Sequence, residues 1–150
     1  MPYSLRKILP TPTPAVAATA FIIASLFAAD AAQGLPDDVK VETYVDGLRF
    51  PVSMAPTPGG DILVTEKGLS GDDSPDFPGT VRLIEDGELV DEPLVDFEVK
   101  TEGEAGMLGI ELMPDFEDSR EFLVTYAPLE DQDHLYQSMF RWTDDRTAEP

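Results

Sequence analysis

GEAGMLGIELMPDF, residues Gly103 to Phe116, decides the fold. Gly103 and Gly106 lead into Met107, and Leu108, Ile110 and Leu112 follow at every second position. Apolar residues with a period of two make a strand with one buried face. A backbone without Cβ at the entry lets the strand approach another strand or a ligand closely. Pro114-Asp115-Phe116 then supplies a turn that ends the run. The unit reads as an inner strand of an all-β domain, tightly entered and tightly left.

The flanks use the same grammar. Val41 to Val45 alternates and ends at Asp46-Gly47, and Ile62-Leu63-Val64 follows the Gly59-Gly60-Asp61 turn. Val81 and Leu83 flank Arg82 on the next strand, and Asp86-Gly87 is a two-residue hairpin signal. Glu88 to Phe97 returns, broken at Pro93. Phe122, Val124 and Tyr126 alternate, and Tyr136, Phe140 and Trp142 share a face opposite Met139 and Arg141. Pro51 to Pro58 carries three prolines and makes an edge strand at most. No segment after the first 34 residues has a helical period.

Strands joined by short antiparallel turns predict repeating four-stranded units. Ile62-Leu63-Val64-Thr65 and Phe122-Leu123-Val124-Thr125 stand 60 residues apart in like positions. Propeller blades take ~40–45 residues each, 4–8 to a ring. Residues 41–150 make two to three blades, the second unit stopping at a third strand, Tyr136 to Trp142. A β-sandwich is the alternative for a chain complete at 150 residues.

The first 31 residues read as a secretory signal peptide and residues 32–40 as a linker. Arg6 and Lys7 form a positive start, Ala15 to Ala29 is apolar apart from Thr19 and Ser25, and Ala29-Asp30-Ala31 offers a cleavage site. The apolar run is shorter than the ~20 residues that span a bilayer, which favours removal over an uncleaved anchor. A secreted, periplasmic or cell-surface location follows. The chain has no Cys, so neither a disulfide framework nor a lipid-bearing Cys is available.

Acids number 30 against 10 Lys and Arg. Removing Asp30, Arg6 and Lys7 with the leader leaves 29 acids and 8 bases, a net charge of −21. Self-repulsion of that size destabilises a compact state unless counterions screen it, which fits a protein adapted to high salt. The same charge disfavours nucleic acid and anionic membrane surfaces as partners.

Three stretches together resemble the glucose/sorbosone dehydrogenase family of quinoprotein sugar dehydrogenases. The family's signature runs from a glycine, a Glu or Gln and another glycine into Leu-Leu-Gly, a strand, and His-Pro-Asp-Phe. Gly103, Glu104, Gly106, Leu108, Gly109 and Pro114-Asp115-Phe116 match it, with Met107 and Met113 departing from it. GLRFPVSMAPTPGGDILVTEKG (Gly47 to Gly68) is similar to the family's "GL-x-x-P" and "LLVTERxG", and GTVRLIEDG (Gly79 to Gly87) to its "GxVRxxxxG". The resemblance implies a six-bladed β-propeller, of which residues 41–150 supply about the first two blades. It implies oxidation of a sugar's anomeric carbon with pyrroloquinoline quinone (PQQ) and Ca²⁺, most of their sites lying outside this chain, and an external electron acceptor.

Glu104 is the one residue the resemblance carries into the cofactor site. Quinone-binding members place a Gln there, and a carboxylate accepts hydrogen bonds but cannot donate as an amide does. A secreted, non-enzymatic propeller used for binding is therefore the second reading. Residues 32–150 alone are expected to bind no quinone, because the family's pocket lies on the ring axis. No catalytic residue and no metal ligand is assigned in this stretch. His134, the only His, sits in the acidic connection Glu130-Asp131-Gln132-Asp133 and reads as structural or idle. Leu69 to Pro78 has no counterpart in the family pattern, and its Asp72, Asp73 and Asp76 read as an exposed acidic loop without Ca²⁺-loop spacing.

Overall fold

The computed structural model describes residues 3–10, 36, 38–69, 77–131, 133–143 and 147–150. It divides into two compact units, one of Leu5–Tyr44 and one of Met1–Ser4 together with Val45–Pro150. Strand β1 (Tyr3–Pro10) pairs with β2 (Val39–Leu48) in a two-stranded sheet. Residues 3–10 are thus extended and paired, where the sequence places a leader outside any fold. The edge of β2 carries free backbone groups that an extended segment satisfies whatever its side chains. The apolar run and cleavage site of the leader lie outside the described residues. Among the described residues no helix is long and apolar enough to cross a membrane.

Val45–Pro150 holds two antiparallel sheets. The first runs in the order β3 (Pro51–Pro56), β4 (Ile62–Glu66), β5 (Gly79–Glu85) and β6 (Glu88–Leu89), with β7 (Val95–Phe97) also paired to β5. The second runs in the order β8 (Met107–Leu112), β9 (Glu121–Tyr126), β10 (Tyr136–Trp142) and β11 (Ala148–Glu149). Asp86 and Gly87, at φ +53° and +82°, close the β5–β6 hairpin as their types require. The proline-rich β3 is an edge strand, as expected.

The two sheets repeat each other residue by residue. Ser53 faces Thr65 in the first and Gly109 faces Thr125 in the second. Val64 faces Arg82 in the first and Val124 faces Ser138 in the second. Each first strand slips register at the matching place, between Pro51 and Ser53 and between Met107 and Gly109. A bulge kept at one position in both units is a feature of the repeat. The chain is all-β, and the two sheets are successive propeller blades.

The core lies between them. Leu63, Val81, Leu83, Leu94 and Val95 of the first blade meet Met107, Phe122, Val124 and Phe140 of the second. Phe97 stands edge-on to Tyr126 with centroids 4.7 Å apart and stacks on Phe140 at 6.2 Å. Full burial of each such side chain is worth roughly 1.5–3 kcal/mol.

Three expectations change. The second blade does not stop at its third strand: β11 adds a fourth, with Trp142 facing Ala148, and the Ala148 N–H also reaches the Leu94 carbonyl. Phe140 is buried beneath this sheet. At the entry of β8 the fully buried residue is Met107, while Leu108 is half-buried, because the bulge turns the alternation by one residue. One helical turn, α1 (Phe116–Ser119), follows the Pro-Asp turn and is closed by Arg120 in the left-handed region.

Candidate functional site

The blades are joined at one end by the loop of residues 101–106. Ala105 N–H closes a turn on the Glu102 carbonyl, and Gly103 takes φ +58° within it. Gly106, at φ +149°, then sends the chain into β8. The Met107 N–H donates to the Lys67 carbonyl at 2.9 Å, and the Gly106 carbonyl accepts from Ala127 N–H at 2.9 Å. The Lys67 ammonium donates to the Gly103 carbonyl. A Cβ on Gly106 would lie 2.5 Å from the Lys67 oxygen, so only glycine allows this approach. A Cβ on Gly103 would meet nothing within 4 Å. Glu104 stands exposed between these two fixed points.

The same loop exists in the first blade. Gly47-Leu48-Arg49-Phe50 precedes β3 as Gly103-Glu104-Ala105-Gly106 precedes β8, and Phe50 O accepts from Lys67 N–H as Gly106 O accepts from Ala127. Leu48 is wholly buried, whereas Glu104, its counterpart, is exposed and charged. Phe50 holds φ +46°, rare for a bulky residue. Phe77 stacks near the Phe50 ring at 6.1 Å and lies under the Arg49 guanidinium at 4.4 Å. Leu69 and Phe77 exchange backbone hydrogen bonds across the base of the acidic loop. Asp72, Asp73 and Asp76 lie outside the described residues.

Glu66 was not singled out from the sequence and is the most deeply placed charge. It is fully buried, accepts from Thr80 Oγ1 at 2.8 Å and from the Arg49 N–H, and lies 3.6 Å from Arg82. Arg82 in turn donates to the Val90 and Asp91 carbonyls. The signal was available: an acid at the end of the apolar run Ile62-Leu63-Val64, followed by a strand with a central Arg.

His134 is exposed and has a partner. Its Nδ1 lies 3.0 Å from both Asp131 oxygens, and the Tyr136 hydroxyl donates to the same carboxylate at 3.1 Å. The His134 contact, then the Asp133 N–H, hold Asp131 below the usual carboxylate range. Asp131's hydrogen bond, then its charge, raise Tyr136 above the usual phenol value. All three side chains face solvent at the Glu104 end. A cleft of about 490 Å³ lined by Thr57, Asp61, Phe116, Glu117, Arg120 and Trp142, among others, lies at the opposite ends of the strands. Among the described residues no three His, Asp or Glu side chains are grouped to hold a metal.

The glucose/sorbosone dehydrogenase family model matches residues 48–149, and the chain belongs to that family. An uncharacterised Synechocystis protein is 30% identical over 99 residues, covering 60% of this chain and 22% of its own length. A solved Thermus thermophilus structure, assigned as a glucose dehydrogenase, shares 26% identity at a TM-score of 0.59, over 73% of this chain and 29% of that one. The PQQ-bound aldose sugar dehydrogenase of Streptomyces coelicolor matches in fold at a TM-score of 0.55 and 23% identity, over 71% of this chain and 29% of that one. The chain therefore spans less than a third of these relatives' length.

Proposed function

We propose that the complete protein is an exported quinone-dependent dehydrogenase that oxidises the anomeric carbon of an aldose. Membership of the family supports a sugar as substrate, and the relatives named as glucose and aldose sugar dehydrogenases support an oxidoreductase. The observation that carries the reading is the loop of residues 103–106, pinned at both ends and holding Glu104 open at the entry of β8. That strand lies at the edge of its sheet, not inside it as the alternation suggests.

Bound PQQ would supply the hydride acceptor for C1 of the sugar, Ca²⁺ would polarise it, and an external acceptor would take the electrons onward. The residues present fit a modest share of that site. Open space over Gly103 leaves room beside the loop, and Glu104 offers a hydrogen-bond acceptor there. Among the described residues no three carboxylate or imidazole side chains are grouped to hold a metal. Export rests on the leader: a mature N-terminus between Ala29 and Leu35, read by mass spectrometry, supports it, and intact Met1 on cytoplasmic protein removes it.

Glu104 in place of Gln favours a second reading, a secreted propeller that binds a partner without catalysis. Titrating the complete apoprotein with PQQ and Ca²⁺ separates the two. Saturable binding followed by absorbance supports the dehydrogenase, and no binding at any Ca²⁺ concentration leaves the interaction domain.

A further inference from the structure

We propose that Lys67 is the positioning residue for Glu104, and this rests on the reading that Glu104 faces the quinone. Lys67 grips the loop three ways. Its carbonyl takes the Met107 N–H, its ammonium takes the Gly103 carbonyl, and its stem lies against Gly106 where any Cβ would collide. These contacts bracket Glu104 on both sides, at the residue before it and at the two residues that open β8. Lys67 also donates its own N–H to Phe50 O, so the loop is tied to the matching bend of the first blade.

The choice of residue supports a specific role. Only Lys40, Lys67 and Lys100 occur after the leader, against 29 acids in residues 32–150. Lys67 is one of these three, half-buried, with its ammonium on a backbone carbonyl. A charge-assisted bond of that kind is about twice as strong as a neutral one. In the first blade the equivalent of Glu104 is Leu48, which is buried, whereas Glu104 is exposed.

The test uses the complete protein and the variants Lys67→Met, Lys67→Arg, Glu104→Ala and the Lys67→Met/Glu104→Ala double. Methionine keeps the stem beside Gly106 and removes only the ammonium. Amide exchange of residues 101–107 in the apoprotein should rise about tenfold in Lys67→Met and return towards wild type in Lys67→Arg. The quinone Kd, from titration of the apoprotein, should rise about tenfold in Lys67→Met and be recovered by arginine. In the Glu104→Ala background, Lys67→Met should add less than twofold, since residues acting through one another are non-additive. Unchanged exchange in Lys67→Met, or the full loss of quinone affinity persisting without Glu104, overturns the proposal. Wild-type protein that binds no quinone defeats the cofactor reading alone, and the exchange result then decides whether Lys67 holds the loop.

Discussion

The Lys67 carbonyl oxygen and the α-carbon of Gly106 approach so closely that a methyl group on the glycine would stand 2.5 Å from that oxygen. The contact joins the first residue after β4 to the last before β8, and so fixes one blade against the next. Gly106→Ala should cost about 2–4 kcal/mol, combining a positive φ with a backbone clash. Gly103→Ala, with open space around it, should cost only the ~1–2 kcal/mol of a left-handed residue. Urea unfolding of the complete protein measures both, and equal losses would mean that the clash has been relieved by movement of Lys67.

A fully buried Glu66 beside Arg82 predicts asymmetric mutants. Glu66→Ala leaves Thr80, the Arg49 N–H and Arg82 each short of an acceptor, and should cost about 3–5 kcal/mol. Glu66→Gln keeps a carbonyl acceptor for Thr80 and should cost less. Denaturant midpoints give the order, and a glutamine as damaging as the alanine would assign the effect to the charge.

Repeat, alternation and turn chemistry were legible in the sequence because each is local. The echo of residues 62–65 in residues 122–125 does mark second strands of two blades, and Asp86-Gly87 does close a hairpin. Strand β11 was not legible, since two residues, Ala148 and Glu149, carry no period and are held by pairing with Arg141 and Trp142. Met107 was missed as the deep residue because a bulge shifts the alternation, and a bulge depends on the partner strand. Glu104 was legible only through the family signature. The bond from Lys67 to the neighbouring Gly103 carbonyl links residues 36 apart and is a product of tertiary structure.

Tyr136 donates to Asp131, so its folded-state ionisation lies above the ordinary phenol value of 10.0. A raised acid pKa favours the neutral form: its contribution is complete below pH 10 and is lost as pH rises past the folded value. Asp131, lowered from 3.8, stays ionised down through that value and loses its contribution only in stronger acid. The pair therefore persists from about pH 4 to pH 10. Ultraviolet titration near 295 nm should show one tyrosine ionising late, and Asp131→Asn should bring it back. An unaltered curve in the variant would contradict the assigned bond.

Residues 32–150 carry a net charge of −21, which predicts stabilisation by salt. At 1 M the Debye length falls to ~3 Å, against ~30 Å at 0.01 M. The melting temperature of the complete protein should rise between low and molar KCl by more than that of a near-neutral relative. A flat or falling profile would show that the acidic surface is not an adaptation to salt.

Aldose-dependent reduction of an artificial electron acceptor by the complete protein tests the central claim most directly. Apoprotein loaded with PQQ and Ca²⁺ should reduce the dye when glucose or another aldose is added, with no turnover when the quinone is omitted. Glu104→Ala should lower kcat/KM by roughly tenfold or more, about 1.4 kcal/mol of transition-state stabilisation. A correctly folded protein that binds PQQ and Ca²⁺ yet oxidises no aldose would contradict the account.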